Sequence, residues 1–121
     1  MGEPGFYWVT TCDWHALLDK LGGDEAFVHG LLAVALRSNA ATPSELRAAA
    51  DIGDCDRMMH LAHRIKGTAG DICAVALRAQ ATDAETAARD GSGAARMLNR
   101  ALADSVDTLL GDLRRIAATV S

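Results

Sequence analysis

His63, Lys66, Gly67 and Gly70 stand within eight residues of one another, in the stretch LAHRIKGTAGD. On an α-helix turning about 100° per residue, Lys66, Gly67, Gly70 and Met59 all fall within about 60° of His63. Met58, Leu61, Ile65 and Ile72 fall on the opposite side and form a core-facing row. The pattern therefore predicts an imidazole that faces outward. Glycine inside a helix costs about 1 kcal/mol against alanine. Two glycines beside a histidine instead remove bulk and let another molecule approach the ring. Lys66, one turn along, can neutralise an anion held on the imidazole. Arg64, about 100° around the helix, flanks the face from one side. Met59 adds an adaptable apolar contact, and His60 borders the same surface. Imidazole nitrogen is nucleophilic near neutral pH and can carry a phosphoryl group as a phosphoramidate. The group is strongly anionic, which Lys66 would offset, and its transfer needs mainly positioning and charge stabilisation.

The elements that must present this face are helical throughout. Alanine and leucine dominate the 121 residues and only two prolines occur, which favours helix over strand. Asp13 is a predicted N-cap for a short helix using Trp14, Leu17, Leu18 and Leu21, and the GGD at 22–24 ends it and caps the next. A second helix is expected over 24–38. A third begins after Thr42, with Pro43 in its first turn and Glu45 completing a capping box. Asp54 caps a fourth helix over about 55–70, and a fifth follows over about 73–90. The DGSG at 90–93 is a break. The last helix, about 94–119, carries the stripe Leu98, Leu102, Val106, Leu109, Leu113, Ile116 and Val120. Short connections between long amphipathic helices imply an all-α, up-down antiparallel four-helix bundle with additional short N-terminal helices. Residues 1–11, MGEPGFYWVTT, read as a tail or linker, and 12–121 as the bundle domain.

Composition excludes several classes of function. The net charge is −4 and the 12 Lys and Arg residues are scattered, so the basic stripe of a nucleic-acid binder is missing. No apolar run is long enough to span a membrane, and no signal pattern opens the chain. The three cysteines lack C-x-x-C spacing and the histidines form no H-E-x-x-H pair, so a cytoplasmic domain with reduced thiols and no metal site is expected.

The stretch AHRIKGTAGDICAVAL resembles the signature of histidine phosphotransfer (Hpt) domains, approximately A-H-x-L-K-G-x-x-x-x-x-G-A-x-x-L. Ala62, His63, Lys66, Gly67, Ala74 and Leu77 match, and Ile65 stands for the leucine. Cys73 occupies a place often held by glycine, which bears on a turn and not on the histidine. Upstream, DWHALLDKLGGDEAFVHGLL and DIGDCDRMMHLAHRIKG are also similar to the family, so the resemblance spans residues 13–120.

The resemblance implies a phosphocarrier with no ATP site, exchanging phosphate between His63 and an aspartate on receiver domains of response regulators and of a hybrid sensor kinase. It further implies a monomer that binds no cofactor itself, with Mg²⁺ held by the partner receiver. The domain would sit in the cytoplasm, often as the C-terminal module of such a kinase. The family commonly places a Gln or Glu about 22 residues after the histidine, bonded to the second ring nitrogen; here that is Glu85, with Gln80 as competitor. Such a partner would leave Nε2 free to attack. Met59, His60, Arg64 and Gly70 are the expected partner contacts. Two alternatives stay open at this point. One is the dimerisation and phosphoacceptor region of a sensor kinase, although Arg64 stands where that class carries glutamate. The other is an adaptor that binds proteins without being phosphorylated.

Overall fold

The computed structural model describes residues 12–120, with side chains throughout except at 14 and 117–120. Residues 1–11, expected to be a tail or linker, lie outside the described part. Six helices follow one another: α1 (Trp14–Lys20), α2 (Glu25–Asn39), α3 (Thr42–Ile52), α4 (Cys55–Asp71), α5 (Val75–Arg89) and α6 (Ala95–Val120). Among the described residues there is no strand.

Local chemistry sets the boundaries. The carboxylates of Asp13, Asp24 and Asp54 each accept from a backbone N–H three residues on, at 3.0 Å, as the sequence predicts. Each cap contributes about 1 kcal/mol. Gly53 ends α3 in the left-handed region at φ 70, which glycine enters without steric cost.

Thr42 departs from the expectation. It is the first residue of α3 and not its cap; Ala41 takes that place without a side-chain bond. Ala40 and Ala41 both hold right-handed helical geometry, so the chain runs almost continuously from α2 into α3. The Thr42 hydroxyl is thereby freed to accept from Arg64 Nη2 of α4 at 2.6 Å. Asn39, at the end of α2, donates to Ala35 O at 2.9 Å and to Thr68 Oγ1 of α4 at 3.4 Å. This polar seam ties the α2–α3 joint to the helix that carries His63.

α3, α4, α5 and α6 close a ring of antiparallel neighbours, and α2 extends it along α6. The core is the sum of their apolar rows. Met58, Leu61, Ala62, Ile65 and Ala69 of α4 are buried. They meet Leu77, Ala81 and Ala84 of α5 and Leu102, Val106, Leu109, Leu113 and Ile116 of α6 in one cluster. Alanines on α5 let α4 approach closely, because small side chains bring backbones together. Register is recorded at the surface, where Arg47 pairs with Asp104 at 2.6 Å and Asp107 at 2.7 Å, and Arg100 with Asp51 at 2.8 Å. These exposed pairs are worth under about 1 kcal/mol each. Inside, Asn99 of α6 donates to Ala84 O of α5 at 3.2 Å and to Ala95 O at 2.8 Å, fixing α5 beside Glu85.

The α4–α5 corner decides which residues face each other. Cys73 turns the chain at φ 58, the left-handed geometry that explains why glycine would suit this place. Asp13 N donates to Cys73 O at 3.1 Å, docking the start of α1 on the corner. With so short a connection, residue 63 comes opposite 85 and residue 70 opposite 78.

Burial, reinforced by neighbouring Cys73 and Asp13, pushes the Cys12 thiol up from 9.0 to about 11. Native Cys12 is therefore expected to be alkylated by iodoacetamide at pH 8 about 100-fold more slowly than in urea, from the loss of thiolate alone. Comparable rates in the two states would contradict this placement. Because the folded value lies above the unfolded one, the associated stability is complete below about pH 9 and is lost as pH rises toward 11.

Candidate functional site

α4 carries His63 halfway along its length, with Leu61, Ala62 and Ile65 buried beneath it. The imidazole side chain is 67% exposed. Its Nδ1–H donates to Glu85 Oε2 of α5 at 2.8 Å. Gln80, half-buried on α5, does not take this place; the corner geometry brings 85, and not 80, level with 63.

Glu85 is the hub. Its side chain is 5% exposed, yet it receives three donors. Lys66 Nζ lies 2.7 Å from Oε1, and Arg89 Nη2 lies 3.0 Å from the same Oε2 that holds His63. The Lys66 hydrogen bond holds the carboxyl below the usual carboxylate range, helped by His63 and opposed by burial. Glu85 is thus ionised at neutral pH and can only accept. The shared proton must belong to Nδ1, so in the neutral ring Nε2 is the nitrogen that carries the lone pair. A buried carboxylate against Nδ1–H also offsets positive charge that develops on the ring when Nε2 forms a bond, the same logic by which an aspartate supports histidine in a catalytic triad.

Space opens on one side of this arrangement. A cleft of about 350 Å³ is lined by His63, Lys66, Gly67, Gly70, Asp71 and Arg78. A β-carbon on Gly67 would meet nothing within 4 Å, so the fold itself does not require glycine there. On Gly70 it would stand 3.7 Å from Arg78 Nε.

The other expected contacts are distributed differently. Met59 is half-buried and packs against the core. His60 is exposed, its Nδ1 bonded to Asp56 O at 2.7 Å. Arg64 turns away from the cleft toward Thr42, and toward Glu45 Oε1 at 3.5 Å. The structure thus gathers His63, Lys66, Gly67, Gly70 and Glu85, with Met59, His60 and Arg64 outside the cleft lining.

Two residues of this site escaped the sequence reading. Arg89 shares Glu85 from one turn along α5, a signal present in the i, i+4 spacing of the pair. Arg78 joins the cleft; with Glu85 and Arg89 it falls at spacings of seven and four on one helix face, a pattern that a charge-based reading of α5 would have picked out.

Among the described residues no cluster of three or more His, Cys, Asp or Glu side chains could hold a metal ion, and no helix is long and apolar enough to cross a membrane. The chemistry available is that of a nucleophilic imidazole with an oriented ring, a nearby ammonium group and open access.

Comparison with known proteins agrees with this reading. The pattern of the Hpt domain family matches residues 30–118, from within α2 to the last turn of α6, including every residue of the His63–Glu85 constellation. No curated protein and no solved structure matches the chain. A family match over most of the chain, joined to an all-helical bundle, settles the assignment: the chain belongs to the Hpt domain family, whose role is phosphotransfer in two-component phosphorelays.

Proposed function

We propose that His63 is the phosphoacceptor of a phosphorelay intermediate, taking a phosphoryl group from a receiver-domain aspartate and passing it to the aspartate of a response-regulator receiver. The observation that carries this reading is the bond from His63 Nδ1 to buried Glu85, 2.8 Å long, which leaves Nε2 of an exposed ring available, with Lys66 one helical turn along. In the forward step the Nε2 lone pair attacks phosphorus, an N–P bond forms, and the P–O bond to the aspartate breaks and returns its electrons to the carboxylate. The reverse step regenerates aspartyl phosphate. Glu85 holds the ring and balances its charge, Lys66 offsets the phosphoryl oxygens, and Gly67 leaves room for the receiver. Mg²⁺ belongs to the receiver and supplies charge neutralisation there. We place the domain in the cytoplasm as a monomeric carrier, in the setting of a hybrid sensor kinase.

The test is incubation with receiver domains carrying a labelled aspartyl phosphate. Label should move to this chain and be recovered on a second receiver. Label that stays on every receiver, under conditions where another Hpt domain accepts it, would count against the proposal.

Gly67 gives an independent check, because stability and access pull in opposite directions. Gly67→Ala should raise folding stability by about 1 kcal/mol in urea denaturation, since alanine is the better helix residue and the position is open. The same variant should exchange phosphate with receivers more slowly, because its methyl group stands in the approach path. Faster or unchanged exchange would argue that Gly67 is not there for clearance.

A further inference from the structure

The cations around the cleft are not equivalent. Lys66 and Arg89 already share one carboxylate, at 2.7 Å and 3.0 Å. Arg64 is turned toward Thr42 and Glu45. Arg78 lines the same cleft as His63 yet makes no ion pair with any described carboxylate. Its side chain crosses α4 at Gly70, with Nε 3.7 Å and Cδ 3.8 Å from where a β-carbon would stand. An alanine would fit there; a larger residue would block the path by which the arginine reaches over α4. The one carboxylate lining the cleft is Asp71, whose negative charge makes an unpaired cation more necessary to an anion entering the space.

We infer that Arg78 is a second phosphoryl-binding residue: its guanidinium donates hydrogen bonds to the oxygens of a phosphoryl group on His63 Nε2, alongside Lys66, with which it lines the cleft. A guanidinium fork matches phosphate oxygens and stays charged throughout the working pH range. Arg78 makes and breaks no covalent bond. It stabilises the loaded carrier and so shifts the balance between phosphohistidine and aspartyl phosphate. Gly70 acquires a role in the same step, as the gap that lets Arg78 cross. The inference rests on His63 being the phosphoacceptor.

The experiment separates phosphate binding from receiver docking. In dilute solution, the equilibrium between phosphorylated carrier and phosphorylated receiver depends only on the free proteins. Contacts that exist solely in the complex change rates and leave this ratio alone. The full chain is mixed at micromolar concentration with a receiver domain phosphorylated by acetyl phosphate and freed of excess donor. Both phospho-species are then quantified at equilibrium for the wild type, Arg78→Gln, Arg78→Lys and Arg114→Gln, the last removing an exposed charge on α6. Arg78→Gln should lower the ratio of phosphocarrier to phosphoreceiver about five- to tenfold, as expected for a charge-assisted bond at an exposed site. Arg78→Lys should recover part of it, and Arg114→Gln should match the wild type. An unchanged ratio for Arg78→Gln overturns the inference, including the case in which only the rate falls, which marks a docking contact. An equal loss in Arg114→Gln overturns it as well, as an effect of net charge. A wild-type chain that never takes up phosphate would instead remove the reading beneath it, and the two failures are told apart by the wild-type lane alone.

Discussion

Glutamine in place of His63 should abolish phosphate uptake while leaving the fold intact. Removing a nucleophile that acts as one unit with its supporting groups costs several orders of magnitude, so His63→Gln should transfer at least about 10³-fold more slowly than the wild type. The side chain is 67% exposed, and among the described residues it bonds Glu85, which keeps Lys66 and Arg89. Stability should therefore change by no more than about 0.5 kcal/mol, the usual range for a surface substitution. The pair of measurements is an initial rate of label uptake and a urea denaturation curve. A variant that still transfers within tenfold of wild type would locate the acceptor elsewhere. One that unfolds would show that His63 holds structure, not chemistry.

Glu85 should give the second largest effect, and its two substitutions should diverge. Glu85→Ala removes the acceptor of Nδ1–H, frees the ring to rotate and leaves half-buried Lys66 without its carboxylate. A misplacement of about 1 Å at a reacting atom can cost 10²-fold, so transfer should fall by about 10- to 100-fold. Stability should fall by about 1–3 kcal/mol, less than the about 3–5 kcal/mol for breaking a fully buried pair, because Lys66 and Arg89 can turn to water. Glu85→Gln keeps an oxygen for Nδ1–H and should retain transfer within several-fold. The glutamine variant also isolates a pH effect. The folded Glu85 carboxyl titrates below the ordinary carboxylate range, chiefly because of the Lys66 hydrogen bond. Between that lowered value and the ordinary one, the unfolded chain binds more protons than the folded one, so stability rises with pH there. The contribution is complete above the ordinary carboxylate range and is lost as pH falls through the folded value. Glu85→Gln should lack this acid-side loss; if wild type and variant decline in parallel on acidification, Glu85 is not the group responsible.

Much of this site was legible in the chain because it depends on periodicity. The row Met58, Leu61, Ile65 fixes the buried side of α4, and the exposure of His63 follows from geometry alone. The caps at Asp13, Asp24 and Asp54 were legible for a similar reason: a short acidic side chain before a helical run has few other uses. The choice between Glu85 and Gln80 was not. It depends on how tightly the chain turns between α4 and α5, and that turn hinges on the left-handed geometry of Cys73, an unusual state for a residue other than glycine. Thr42 misled for a related reason. Its spacing to Glu45 fits a capping box, yet the chain stays nearly helical through Ala40 and Ala41, and the hydroxyl goes to Arg64. Spacing likewise puts Arg64 at the flank of the His63 face, and only its tertiary contacts with Thr42 and Glu45 turn it away. Arg78 and Arg89 lay on a visible face of α5, but the direction of a long side chain is set by its neighbours and is not written in spacing.

The most direct test of the account is the position of the phosphoryl group itself. Chain loaded by a phosphorylated receiver can be mapped by fragmentation and by ³¹P–¹H correlation through the imidazole. The expected result is an acid-labile phosphoryl group on Nε2 of His63, with Nδ1 still donating to Glu85. Acid-stable phosphate on a hydroxyl such as Thr68, or a phosphoryl group on Nδ1 of His63, would contradict it.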